Sequence, residues 1–223
     1  MAKRTSNTGK RSARVEHKHR QVRNEILQVA QELLMDGGLD AVTLAAVAGR
    51  LSMTKQALYH YFPSKEALIR SLITTLLDEE IESLIAAIDD LKSGENILGG
   101  LINAFYEHYI HRLDAFRTIY CQSQLYSAET TVIDRSTLQD EINPTTRQLF
   151  DLLEARLAGP DASESERRQM RQLAFTAWMS ALGLMTMLGV ADASSDPLVH
   201  SDRELLDTLS KVYGSKENTS LSG

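Results

Sequence analysis

The chain has a single cysteine, four prolines and one tryptophan among 223 residues. One cysteine excludes an intramolecular disulfide, so packing alone must hold the fold, and a reducing cytoplasm is the expected compartment. The scarcity of proline, with only twelve glycines, excludes collagen-like and low-complexity chains. No stretch alternates polar and apolar residues with period two and β-branched enrichment, which argues against a sandwich or barrel. A Gly-rich phosphate loop, a nucleophile elbow and an HExxH pair are all missing, so neither an enzyme nor a cofactor is expected. The basic N-terminus lacks the apolar run of a secretory signal.

What the chain does have is helix-forming sequence. Hydrophobic residues make up 43%, enough for a sizeable core, and long Leu/Ala/Glu/Gln/Arg-rich stretches favour helix. An all-α protein follows. The net charge of −6 is unevenly spread. Residues 1–70 carry twelve Lys and Arg against six Asp and Glu, leaving the acids in excess beyond them. A basic head on an acidic body suits an anionic polymer at the head, because phosphate binding responds to the local charge and not to the whole-chain sum.

The organising stretch is Thr43–Leu68, TLAAVAGRLSMTKQALYHYFPSKEAL. Thr43 is placed to cap a helix carrying Leu44, Val47, Ala48 and Leu51; Ser52-Met53 makes a turn; Thr54 caps a second helix carrying Ala57, Leu58, Tyr61 and Phe62. Pro63 stops that helix and Ser64 caps a third, with Glu66 in its first turn. Two short helices joined by a tight turn form a helix-turn-helix, whose second helix enters the DNA major groove. At the start of that helix Thr54, Lys55, Gln56 and Ala57 are placed to reach base edges: Gln to adenine, Lys to guanine acceptors, an Ala methyl to thymine.

The order Thr43, Val47-Ala48, Leu51, Leu58-Tyr59, His60, Phe62, Lys65 and Ala67-Leu68, after a long helix ending in Gly37-Gly38, resembles the TetR-type (TetR/AcrR) bacterial transcriptional regulators. The resemblance spans Arg20 to Ile73. It departs at Ser52, where the family usually has Gly, and at Gln56, where Gly or Pro is frequent. It implies that Tyr59, His60 and Lys65 contact the phosphate backbone, and that Thr43 adds a phosphate contact to its capping role. It also implies a body that holds a small molecule and a dimer built by the terminal helices.

The expected organisation is a basic arm over 1–19, disordered when free; a helix-turn-helix domain over 20–70; a helical regulatory and dimerisation domain over 71–215; and a polar tail over 216–223. The arm is either a solubilising tail or a strand that tracks phosphates or the minor groove. The helix opening at Ser64 has no clear break before Lys92-Ser93-Gly94, so it serves as a rod from head to body. Helical blocks follow over Asn96–Leu113, Ala115–Tyr126, Pro144–Leu157, Ser163–Ala191 and Asp202–Tyr213, with 127–142 poorly patterned. The segment Ala174–Ala191 is long enough to span a membrane, yet a buried interface helix explains its polar residues and glycines better. Homodimerisation is expected through 163–191 and 202–213, from Leu173, Ala177, Ala181, Leu184, Met185, Leu188, Leu205, Leu206, Leu209 and Val212.

Candidate effector contacts in the body are Phe105, Tyr109, Tyr120, Gln124, Trp178 and Met179. Glu107, His108, His111 and Asp114 share a helical region, but paired His and acids on an exposed face are commoner than a metal site, and no metal is expected. The helix-turn-helix implies a DNA-binding regulator, and the resemblance implies a repressor released from a palindromic operator by a small molecule. A ligand-independent nucleoid-associated protein of the same fold is the alternative, and a helical protein-interaction adaptor is the third possibility.

Overall fold

The computed structural model describes residues 5–92, 94–121, 133–195, 197 and 200–220. Among them there is helix and no strand. The main helices among the described residues are α1 Thr5–Ala41, α2 Leu44–Arg50, α3 Lys55–Tyr61, α4 Lys65–Asp89, α5 Ile97–Tyr109, α6 Leu113–Phe116, α7 Asn143–Ala158, α8 Glu164–Ser194 and α9 Asp202–Ser220. A π-helical turn, Arg117–Cys121, extends α6, and a single turn at Arg135–Thr137 runs through a second π-helical turn, Leu138–Ile142, into α7.

Two compact units divide the chain, Met1–Thr75 and Leu76–Gly223. In the first unit, α1 contributes Ile26, Leu27, Ala30, Leu33 and Leu34 to a core that Val47, Ala48, Leu58, Phe62, Leu68 and Leu72 complete, all buried. Each of the Val, Leu, Ile and Phe side chains among them stabilises the fold by about 1.5–3 kcal/mol when removed from water. The long α1 is interrupted at Gly37-Gly38, where Gly38 takes φ 68°, a conformation that excludes most side chains. That break turns Leu39 and Val42 back toward the core.

The ends of the chain are more helical than sequence patterning indicates. The first helix, expected from about His17, starts at Thr5, and the last, expected to end at Tyr213, runs to Ser220. Lys, Arg, Ala and Glu are good helix formers, no proline precedes Pro63, and extending an existing helix is far easier than nucleating one. Residues 1–4 and 221–223 lie outside the described residues, as do 122–132, which hold the end of the expected Ala115–Tyr126 helix. A smaller correction concerns the start of α9. Ser201, not Asp202, caps it: the Glu204 N–H donates to Ser201 Oγ at 3.3 Å, and the Ser201 N–H donates back to the Glu204 carboxylate at 2.9 Å.

The second unit packs α5 against α8 and α9, and α7 against α8. Helix α8 opens with a full capping box, Ser163 with Glu166. Its most apolar window has a mean hydropathy of 1.6, long and apolar enough to cross a membrane by composition, with 33% of that window buried in this chain. Ala174, Ala177, Ala181, Met185 and Leu188 form the buried face. Of the residues expected to meet a second copy, Ala177, Ala181, Met185, Leu188 and Leu206 are therefore turned into the chain's own core. The outward apolar stripe is instead Phe175, Met179, Met187 and Val190, with Val212 exposed on α9. Both faces of α8 are apolar, so helical period alone does not tell the inward one from the outward one.

Candidate functional site

The head displays its candidate DNA contacts through local chemistry. Thr43 caps α2 by accepting from the Ala46 N–H at 3.1 Å, and Thr54 caps α3 by accepting from the Ala57 N–H at 3.1 Å. Between them α2 ends in a Schellman turn: the Met53 N–H donates to the Ala48 carbonyl at 2.9 Å and the Ser52 N–H to the Gly49 carbonyl at 3.2 Å. Ser52 occupies the left-handed position, φ 54°, where glycine is usual. A serine there costs about 1–2 kcal/mol relative to a right-handed conformation. The strain is tolerated because the two turn hydrogen bonds and the cores of α2 and α3 hold the angle between the helices.

Thr54, Lys55 and Gln56 are exposed at the start of α3, Ala57 is half-buried behind them, and Leu58 is fully buried. Tyr59 is 50% exposed and His60 is exposed, both near the end of α3. Lys65 is half-buried in the first turn of α4, which Ser64 caps through the Ala67 N–H at 3.1 Å. One solvent-facing row thus contains Thr54, Lys55 and Gln56, with Tyr59 and His60 further along the same helix.

Two features of the head escape a reading of the sequence. Arg23 on α1 donates to the Tyr61 carbonyl at 3.3 Å and to Ser71 Oγ at 2.6 Å, while its guanidinium lies 4.3 Å from the Phe62 ring centroid. It ties the end of α3 to α1 and α4, satisfying a C-terminal carbonyl and adding a cation–π contact. His19 stacks on Tyr61 at 4.7 Å and meets His60 edge-on at 6.1 Å. No spacing rule announces either, because the partners lie some forty residues apart.

The body holds a cavity of about 280 Å³. Leu77, Ile81, Ile119, Leu149, Phe150 and Trp178 give it apolar walls, and Glu80 is a lining residue. Glu80 is 1% exposed. Tyr120 Oη donates to its two carboxylate oxygens at 2.7 and 2.9 Å, and Tyr109 Oη donates to Oε2. Burial pushes the Glu80 carboxyl up from an ordinary 4.5 to about 7, against the hydrogen bonds from Tyr109, Tyr120 and Trp178, which favour the ionised form. The two phenols are in turn held well above their usual range, by burial first and by the adjacent carboxylate.

Of the expected effector contacts, the fold gathers four. Tyr120 and Trp178 line the cavity. Tyr109 holds Glu80, and Phe105 packs its ring 5.1 Å from Tyr109 and 6.4 Å from Trp178. Met179 lies elsewhere, 52% exposed on the outward stripe of α8; Gln124 is outside the described residues. Glu80 itself was legible and overlooked: it sits four residues after Leu76 and four before Leu84, inside the apolar stripe of α4. A lone acid at a core position is a site signal.

The acidic and histidine residues near the end of α5 do not converge. Glu107 pairs with Arg203 at 3.8 Å and Asp114 with Arg117 at 3.1 Å, while His108 abuts Arg112 at 3.3 Å and burial takes its pKa down to about 4. Burial, opposed by Arg117, raises the Cys121 thiol, away from a reactive thiolate.

A capped helix-turn-helix in a small basic unit, followed by a larger helical unit enclosing a cavity, is the architecture of a helix-turn-helix DNA-binding regulator. A family model for bacterial regulatory proteins, tetR family, matches residues 26–72. The HTH-type transcriptional repressor KstR2 of Mycolicibacterium smegmatis is 32% identical over 90 residues, 40% of this chain and 44% of that protein. Nucleoid occlusion factor SlmA of Pectobacterium carotovorum is 30% identical over 146 residues, 65% of this chain and 68% of that protein. The chain thus spans less than half of the first relative and about two thirds of the second. A TetR/AcrR-family transcriptional regulator from Thermobifida fusca shares the fold, with a TM-score of 0.61 at 21% identity over 87% of this chain and 97% of that one. The chain belongs to the tetR family of bacterial regulatory proteins, whose members bind DNA and act as dimers.

Proposed function

We propose that the protein is a cytoplasmic, sequence-specific repressor that binds a palindromic operator as a homodimer and leaves it when a small molecule fills the body cavity. The observation that carries this reading is the exposed row Thr54, Lys55 and Gln56 at the capped start of α3. A short helix held at its N-terminus, with donors and acceptors outward, is what major-groove recognition requires. Tyr59, His60, Lys65 and Thr43 supply phosphate contacts that set its register.

One such helix specifies few base pairs, so a two-fold dimer on a palindrome is the economical solution. The outward stripe Phe175, Met179, Met187 and Val190 of α8, with Val212 of α9, supports a self-complementary apolar interface. The cavity around Glu80 supports an effector, and α4, which carries Glu80, is the helix that begins at the head with Lys65. An effector works as a release signal only if it binds the DNA-free conformation better.

Selection from a random double-stranded DNA library tests the reading. A palindromic motif with fixed half-site spacing is the expected result. Enrichment without a motif, falling steeply with salt, would refute sequence-specific repression. It would favour a nucleoid-associated role, which the similarity to a nucleoid occlusion factor keeps as the second reading.

A further inference from the structure

We infer that the body cavity takes a small lipophilic amine, its ammonium pairing with Glu80 and its apolar part lying among Tyr120, Phe150 and Trp178. The inference rests on the reading of the cavity as the effector site and names the ligand class that site selects. Among the described lining residues Glu80 is the one acid, and Lys, Arg and His do not occur. An anionic ligand would bring a second negative charge beside a carboxylate that has no cationic partner among the described lining residues. A neutral ligand would leave the carboxylate as poorly compensated as it is in the free protein.

The hydrogen bonds around Glu80 point the same way. Among the described residues its donors are Tyr109, Tyr120, which spans both carboxylate oxygens, and Trp178. All three are neutral, so an ammonium would supply the positive charge that they lack. The aromatic wall suits the apolar part of the ligand. Trp178 packs edge to face on Tyr120 at 6.1 Å and on Phe150 at 6.2 Å, so the three rings brace one another into one continuous surface. The volume of about 280 Å³ lies near the lower end of ligand pockets and limits the amine to a small, singly functional molecule.

Protonation supplies an independent signature. With its carboxyl pushed up to about 7 by burial, part of the Glu80 population is protonated at neutral pH. An arriving ammonium pairs with the ionised form, so Glu80 gives up that proton to the buffer as the complex forms.

Calorimetry with the intact 223-residue chain and three probes of one shape, 4-phenylbutylamine, 4-phenylbutanol and 4-phenylbutyrate, tests this. The amine should bind about tenfold or more tighter than the alcohol, the charge-assisted hydrogen bond being the difference, and the carboxylate weakest. Titration at pH 7 in buffers of different ionisation enthalpy should show proton release for the amine. Glu80→Gln should erase the preference for the amine. Leu138→Trp, at an exposed lining position, should block all three probes while leaving Glu80 untouched. Preference for the carboxylate, an unchanged amine affinity in Glu80→Gln, or no binding by any probe would overturn the inference. Operator binding is measured separately: amine binding that leaves operator affinity unchanged would refute release by effector, and not the ligand class.

Discussion

Replacing Glu80 by Gln should change how stability depends on pH. A buried carboxyl whose pKa rises from 4.5 to about 7 on folding binds its proton more tightly in the native state. Its favourable contribution is therefore complete below about 4.5 and disappears as pH rises through 7. The full difference corresponds to about 3 kcal/mol as an upper bound, of which about 2–3 kcal/mol falls between pH 5 and pH 8. His108 acts in the opposite sense over the same window. Its pKa falls from 6.5 to about 4, so its contribution is present above 6.5 and lost as pH falls through 4. That contribution is common to both proteins and cancels in the difference; the Glu79–Arg112 ion pair beside it, at 2.9 Å, is likewise present in both. At pH 5 the amide, a poorer match to Tyr109 and Tyr120, should leave the variant less stable by about 1 kcal/mol. At pH 8 it should be the more stable protein. Urea unfolding of both proteins at one concentration, at four pH values from 5 to 8, measures the crossing. Parallel stability curves, differing by a constant, would refute the claim that burial raises the Glu80 carboxyl.

Ser52→Gly should raise the stability of the head by about 0.5–1 kcal/mol by relieving the left-handed serine, while Ser52→Val should lower it by more than 1 kcal/mol; thermal melts of the two variants should move in opposite directions. Gln56→Ala should cost about 1–3 kcal/mol at one base position of the selected operator, whereas Lys65→Ala should weaken binding to all sequences alike and reduce the salt slope by about one. An operator-variant series that showed unchanged discrimination for Gln56→Ala would place the base contacts elsewhere on α3. A charge in the outward stripe of α8, Met187→Asp with Val190→Asp, should shift the sedimentation profile from dimer to monomer without unfolding the chain, since both side chains are more than half exposed in a single chain.

The helix-turn-helix is legible in the sequence because its instructions are local. Thr43, Thr54 and Ser64 each cap a helix three residues ahead, and Pro63 ends one. Ser52, standing where Gly is usual, signals the strain that its φ of 54° records. Interactions between a residue and the next four or five determine these features, and the chain states them in order. The body is legible as helix for the same reason, and Ser163, Pro144 and Gly159 mark real helix ends.

What the tertiary structure decided is which of several equivalent surfaces became interior. Helix α8 is apolar on two sides, and only its packing against α5 and α7 turns Ala177, Ala181 and Met185 inward and leaves Phe175, Met179 and Met187 outside. Glu80 is one of four acids within five positions, Asp78, Glu79, Glu80 and Glu82; its register with Leu76 and Leu84 marks it as facing the core, but nothing local says that Tyr109 and Tyr120 enclose it. Arg23 likewise gains its meaning from Tyr61, Phe62 and Ser71, far along the chain. Capping and helical period are short-range properties that a sequence carries by itself. Enclosure arises only where distant segments meet, and so the recognition helix was written in the residues, while the polar anchor of the cavity emerged from the fold.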